Sequence, residues 1–168
     1  IDHDGPGFVI EGGLWDGRRL HELYKEAYTP WEWHERLFEV ARDCGLECFS
    51  SPFDASAVNL LEDLGNPIYK IASFEITDIP LIEYAASKGK PMVMSTGIGT
   101  EQEILDALDA CRRMGNEQVT LLKCTSAYPA PVEDANLKTM VDMRSRYGVE
   151  TGLSDHTMGH TVAVAAVA

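Results

Sequence analysis

The sequence predicts an α/β fold, a partial (β/α)8 TIM barrel of about strands three to seven, from three observations. Short apolar runs alternate with amphipathic stretches from Leu46 onward. Glycines at 45, 65, 89, 115 and 148 stand where five successive helices should stop. No glycine-rich dinucleotide fingerprint accompanies these regular βα units, which favours a barrel over a doubly wound sheet. The strands read as continuous apolar runs, a pattern expected of a parallel sheet covered on both faces.

Residues 1–16 are weakly patterned around a short Phe8-Val9-Ile10 strand. Gly17 to Ala27 reads as a helix with Leu20, Leu23 and Tyr24 facing inward. Thr29 is the expected N-cap of a second helix and Pro30 its first residue. The stripe Trp33, Leu37, Val40 and Ala41 should face the core, with Gly45 ending the helix. The Thr-Pro-Trp-Glu-Trp-His cluster at 29–34 could line a pocket, although a tryptophan-rich helix start more often serves packing.

The βα units follow. Glu47–Ser50 is a strand and Ala55–Leu64 a helix capped by Asp54. Tyr69–Ser73 is a strand and Asp78–Ser87 a helix. Pro91–Ser95 is a strand, and Glu101–Met114 a helix opened by a Thr100/Glu103 capping box. Val119–Lys123 is a strand and Leu137–Tyr147 a helix. Val149–Leu153 is the fifth strand, and Thr161 starts a last helix. Five strands cannot close an eight-stranded barrel, and the chain opens without methionine and ends inside an apolar helical run. The expectation is therefore a fragment.

The totals narrow the function. With 168 residues, 45% hydrophobic and 24% charged, the chain can bury one core. A net charge of -13 argues against nucleic acid or an anionic membrane as partner, since both need a basic surface. A few local lysines can still hold a small anion. Cys44, Cys48, Cys111 and Cys124 lack C-x-x-C spacing and read as reduced, buried thiols of a cytoplasmic protein.

Polar groups crowd each strand's C-terminal end, where ligands bind in parallel α/β folds. They are Ser50-Ser51-Pro-Phe-Asp54, Lys70-x-x-Ser73-x-Glu75, Ser95-Thr96-Gly97, Lys123-Cys-Thr125-Ser126-x-Tyr128 and Ser154-Asp155-His156-Thr157. One serine after a strand is usually a cap or turn residue. Five such ends at one rim would instead form a polar cup with Lys70 and Lys123 as its cations, suited to phosphate. Gly97 and Gly99 would let backbone N–H groups approach the ligand. Glu75 suits acid–base or hydroxyl-orienting work. His156, directly after a strand, reads as either a metal ligand or an ordinary loop histidine; pairing with His160 is disfavoured because Gly159 intervenes.

These motifs, in this order and at these strand ends, resemble the sialic acid synthase family, which condenses phosphoenolpyruvate with an acylated amino sugar. Thr29–His34, Ala72-Ser-Phe-Glu75 and Lys123 are most similar to the branch that makes pseudaminic acid. N-acetylneuraminate-forming members commonly carry glycine in place of Phe74 and histidine in place of Lys123. The resemblance implies an N-terminal barrel, to which residues 1–168 would belong, a C-terminal antifreeze-like domain outside them, and a homodimer when full length. It implies that Ser51, Lys70, Ser73, Ser95, Ser126 and Ser154 surround phosphoenolpyruvate, with Lys123 beside them. Ser51 stands where many relatives have threonine and Ser126 where they have asparagine. Glu75 and Tyr128 would face the sugar, and His156 would be one of two histidines holding Mn2+ or Mg2+. Lys70, Glu75 and His156 would then carry the catalysis. Legionaminate or N-acetylneuraminate synthesis, and a non-catalytic phosphate- or sugar-binding barrel, are the alternatives.

Overall fold

The computed structural model describes residues 5–168, so positions 1–4 of the weakly patterned opening lie outside the described residues. Four parallel strands form one sheet: β1 (Tyr69–Ile71), β2 (Met92–Ser95), β3 (Val119–Cys124) and β4 (Glu150–Ser154). They lie side by side in chain order. A doubly wound sheet reverses direction at a switch point; this one advances one place per crossover, as a barrel wall does. Helices α1 (Leu20–Ala27), α2 (Trp31–Asp43) and α3 (Ala55–Asp63) precede β1. Helices α4 (Ile79–Ala86), α5 (Glu101–Arg113), α6 (Lys138–Tyr147) and α7 (Thr161–Val167) follow the four strands in turn.

Register shows which face is covered. Ile71, Met94 and Leu121 are partners across three strands, and each is 0% exposed. They join Ile82, Ala85, Ala107 and Leu108 of α4 and α5 in the core. The alternate row, Lys70, Val93 and Thr120, is half-buried. Helices therefore cover one face, not both as the apolar runs suggested. The other face is the barrel interior, and it carries the site.

The starts of α3, α4 and α5 are set by side chains that accept backbone N–H groups. Asp54 Oδ1 accepts from Ala57 N at 2.8 Å, and Asp78 Oδ1 accepts from Leu81 N at 3.1 Å. Thr100 and Glu103 form the expected capping box at α5. The five glycines named from sequence all adopt left-handed φ after their helices.

Several expectations are corrected. Pro30, in extended conformation, occupies the cap position of α2, so Thr29 is not the N-cap. The stripe meant for the core is exposed, with Trp33 at 58%, Leu37 at 48% and Val40 at 42%. Helix α2 is rotated so that Phe38 is its buried residue. Tyr24 of α1 also faces outward. Phe8 ends a short 3-10 turn (Pro6–Phe8), and Val9 makes only an isolated antiparallel bridge to Arg19. The first of the five expected strands, 47–50, contracts to one parallel bridge, Ser50 to Tyr69, because β1 is its only partner among the described residues. All four cysteines are free thiols, but Cys44 is exposed and Cys48 half-buried. Among the described residues, no helix is long and apolar enough to cross a membrane.

That lone bridge is reinforced by Asn66, which is fully buried. Its Oδ1 accepts from Ser50 N at 3.2 Å and its Nδ2 donates to Ile68 O at 2.6 Å. Asn66→Ala should destabilise the protein by about 1–3 kcal/mol, because it leaves these groups without their buried partner. Urea denaturation measures this, and a variant as stable as the parent would refute the role.

Candidate active site at the strand ends

Polar side chains meet where β1, β2 and β3 end. After β1 the chain enters a 3-10 turn (Ser73–Thr77), which turns Ser73 inward at 6% exposure. Ser73 Oγ accepts from Gly97 N at 3.2 Å. Gly97 is brought there by Thr96, whose backbone N and Oγ1 both donate to Leu122 O at 3.0 Å. A Cβ on Gly97 would stand 3.0 Å from Ser73 Oγ and 3.1 Å from Cys124 Sγ, and would overlap Ser126 Oγ. Only glycine allows these three groups to converge.

From there the contacts continue to β4. Cys124 Sγ lies 3.8 Å from Ser126 Oγ and 3.9 Å from His156 Nδ1. His156 Nδ1 donates to Thr125 O at 2.9 Å, and its ring packs on Tyr128 with centroids 4.4 Å apart. One linked group thus contains Ser73, Gly97, Cys124, Ser126, Tyr128 and His156. The Tyr128-Pro129 peptide is cis. Ser95, 2% exposed, has an Oγ with no partner. By register, Lys70, Ser95, Cys124 and Ser154 share the interior face. Lys70 Nζ donates to Ile71 O at 3.1 Å and interacts electrostatically with Cys124 and Glu75.

Lys123 corrects the sequence reading. It is one residue from Cys124, so it points to the sheet's other face, that of Ile71 and Leu121. Its Nζ donates to Thr125 Oγ1 at 2.6 Å and to Asp134 O at 2.9 Å. The cup therefore has Lys70 as its cation, while Lys123 braces the loop after β3. Ser154 and His156 line a small niche beside that brace. Ser51 is separate from the linked group; with Glu75 it lines a cavity of about 680 Å³ bounded by α1 and the start of α2. Sequence reading took Cys124 and Tyr24 as core and passed over Tyr28, and it gave Phe53 no role although that residue lies inside the Ser50–Asp54 strand-end motif.

Burial shapes the charges. It lowers the Lys70 ammonium from its ordinary range, with Cys124 and Glu75 pulling the other way. It raises the Glu75 carboxyl, opposed in part by Lys70. Glu75 Oε2 is buried without a partner. An anion beside Lys70 and a hydroxyl donor at Glu75 would satisfy both groups.

A divalent cation fits His156 as a single ligand. Donation from Nδ1 to a carbonyl leaves Nε2 as the lone-pair nitrogen, the arrangement common to metal-bound histidines. Among the described residues, no cluster of three or more His, Cys, Asp or Glu groups could hold a metal by itself.

The chain is similar to known proteins over most of its length. A family model described as the NeuB family matches residues 3–168. A pseudaminic acid synthase of Helicobacter pylori is 56% identical over 152 residues, covering 90% of this chain and 45% of that protein. A pseudaminic acid synthase of Campylobacter jejuni (strain 81-176) is 45% identical over 168 residues, covering 100% of this chain and 49% of its own length. The chain thus spans about half the length of the curated relatives it matches. A crystal structure of an N-acetylneuraminic acid synthetase from Leptospira borgpetersenii superposes with a TM-score of 0.83 at 32% identity. That superposition covers 88% of this chain and 52% of the other.

Two consequences can be measured. Gly97→Ala should cost about 1–3 kcal/mol of stability by overpacking, read from denaturant midpoints; an unchanged midpoint would mean the serines are free to move aside. Glu75→Gln tests the buried carboxyl. A folded-state pKa above the unfolded 4.5 means the native protein holds the extra proton, so wild-type stability falls as pH rises through that window. The variant should gain stability relative to wild type as pH rises above 4.5, with parallel pH profiles as the contrary result.

Proposed function

Because the chain belongs to the NeuB family, we propose that it is the barrel part of a pseudaminic acid synthase. The reaction joins phosphoenolpyruvate to a 2,4-diacetamido-2,4,6-trideoxy hexose (the L-altrose isomer) and releases phosphate. The observation that carries the proposal is the 56% and 45% identity to pseudaminic acid synthases, against 32% to the N-acetylneuraminic acid enzyme. The cup of Lys70, Ser73, Ser95 and Ser126 supports the same reading, being one cation ringed by hydroxyls.

In this reading Lys70 and those hydroxyls hold phosphoenolpyruvate, and Ser154 completes the ring from β4. The methylene carbon attacks the aldehyde carbon of the open-chain acceptor, forming the carbon–carbon bond. Water adds to the resulting cationic carbon, and phosphate leaves with cleavage of its C–O bond. Lys70 meets the negative charge with a preset donor, the kind of contact worth about 3 kcal/mol in a transition state. Glu75 Oε2, lacking a partner, accepts a hydrogen bond or a proton from the acceptor. Tyr128 packs on His156 and steadies its ring. A divalent cation, Mn2+ or Mg2+, held in part by His156 Nε2, would polarise the acceptor's carbonyl as a Lewis acid. We further read residues 1–168 as part of an N-terminal catalytic domain in a cytoplasmic homodimer, with an antifreeze-like domain elsewhere in the protein.

The full-length protein should release phosphate from phosphoenolpyruvate only when both metal and the diacetamido sugar are present. Lys70→Ala should lower kcat/KM by about 10²- to 10³-fold. Turnover of N-acetylmannosamine alone would reassign the acceptor, and no release with any acylated amino sugar would leave a binding barrel.

A further inference from the structure

Lys123 lies outside the anion cup, yet its hydrogen bonds lead to the ring of His156. It is 8% exposed, and its ammonium donates to two neutral acceptors, Thr125 Oγ1 at 2.6 Å and Asp134 O at 2.9 Å. A buried ammonium without a carboxylate in its hydrogen-bond shell is destabilising, and an apolar residue would serve packing better. What an ammonium adds is the ability to hold two acceptors together. Thr125 opens the loop after β3, and Asp134 ends the 3-10 turn (Val132–Asp134) within it. Lys123 therefore pins that loop at both ends, with Ser126 and Tyr128 between them.

Thr125 carries the constraint across the sheet. Its hydroxyl accepts from Lys123 and donates to Asp134 O at 3.1 Å, so both of its roles are taken and its direction is set. Its carbonyl accepts from His156 Nδ1 at 2.9 Å. The middle of the loop meets the same histidine from behind: Ala130 N donates to His156 O at 2.9 Å, and Ala130 forms a parallel bridge to Thr157. Tyr128, also on the loop, packs on the His156 ring. His156 is thus held through its ring and its backbone by the segment that Lys123 fastens.

We propose that Lys123 is a positioning residue: through Thr125 and the 125–134 loop it sets the direction of the His156 ring from the opposite face of the sheet. The proposal rests on the reading of His156 as a divalent-cation ligand given under the proposed function. It goes further by assigning that ligand's orientation to a lysine outside the cup.

The test compares two variants of the full-length protein. Lys123→Met keeps the stem and removes the donors, while Thr125→Val removes the hydroxyl and keeps the carbonyl. Nitrogen NMR of the metal-free parent, in mildly alkaline buffer, should show one His156 tautomer, protonated at Nδ1. Both variants should lose that preference. Mn2+ titration followed by electron paramagnetic resonance should then show affinity about 10- to 100-fold weaker, the usual effect of disturbing a ligand's hydrogen-bond partners. The double variant should be no worse than either single one, because both break one chain of contacts. Asn116→Ala controls for stability: it removes buried bonds to Ala86 O and Lys90 O near the other end of the sheet and should leave both readouts unchanged. A shift as large in that control would reduce the effect to lost stability and overturn the inference. Parental ring signals in Lys123→Met also overturn it, even if phosphate release proves the synthase reading correct; should that variant not fold, Thr125→Val decides by the same signals. Altered ring signals in a protein whose parent binds no Mn2+ and releases no phosphate sink the synthase reading and leave the positioning role standing.

Discussion

Much of the site depends on how β2 hands the chain to the loop after it. Register pairs Ser95 with Leu122, and the next residue, Thr96, directs both its N–H and its hydroxyl to the Leu122 carbonyl. That double bond fixes where Gly97 stands. Gly97 in turn donates to Ser73 and leaves room for Ser126 and Cys124. A β2–β3 slip of one residue would reverse every side chain on the strand, placing Ser95 among the helices and Met94 in the cup. The core prevents this, because Met94 is sealed between Ile71 and Leu121. The hydrophobic face therefore positions the polar one.

The two ends of the sheet treat their lysines differently. Near the N-terminal ends, Lys90 is paired with Glu62 at 2.6 Å, and Glu62 also accepts from Tyr69 at the same distance. That arrangement is complete and has nothing to offer a ligand. Lys70, on the interior face, makes a hydrogen bond to a carbonyl, and its three donors exceed what that bond uses. Burial lowers its affinity for the proton, and the neighbouring carboxyl is raised for the same reason. Two groups that are each penalised for their charge describe a site built to be completed from outside.

Much of this was legible in the sequence. Helix stops at glycines, the Asp54 and Asp78 starts, the capping box at Thr100 and the sequential βα order all follow from local chemistry acting within a few residues. The errors share a cause. The rotation of α2 and the reduction of 47–50 to a bridge depend on what packs against them, which periodicity does not report. Lys123 was a different matter: alternation along β3 sets it opposite Cys124, so parity alone would have removed it from the cup. Tyr24 lies in α1, Tyr28 caps its end and Phe53 stands just before α3, and only the tertiary fold brings the two segments together.

Glu75 joins the two halves of the site. It interacts with Lys70 on the side of the anion cup and also lines the aromatic cavity on the other. A chain with net charge -13 repels an anion at long range, but that repulsion is screened beyond about 8 Å at physiological salt. At closer range the buried donors around Lys70 act with little screening, and their local field prevails. The carboxyl then limits where the anion can sit, because an oxyanion pressed against Glu75 would meet a like charge. An anion held on the Lys70 side and a neutral, hydroxyl-bearing molecule held on the cavity side is the arrangement that satisfies both groups.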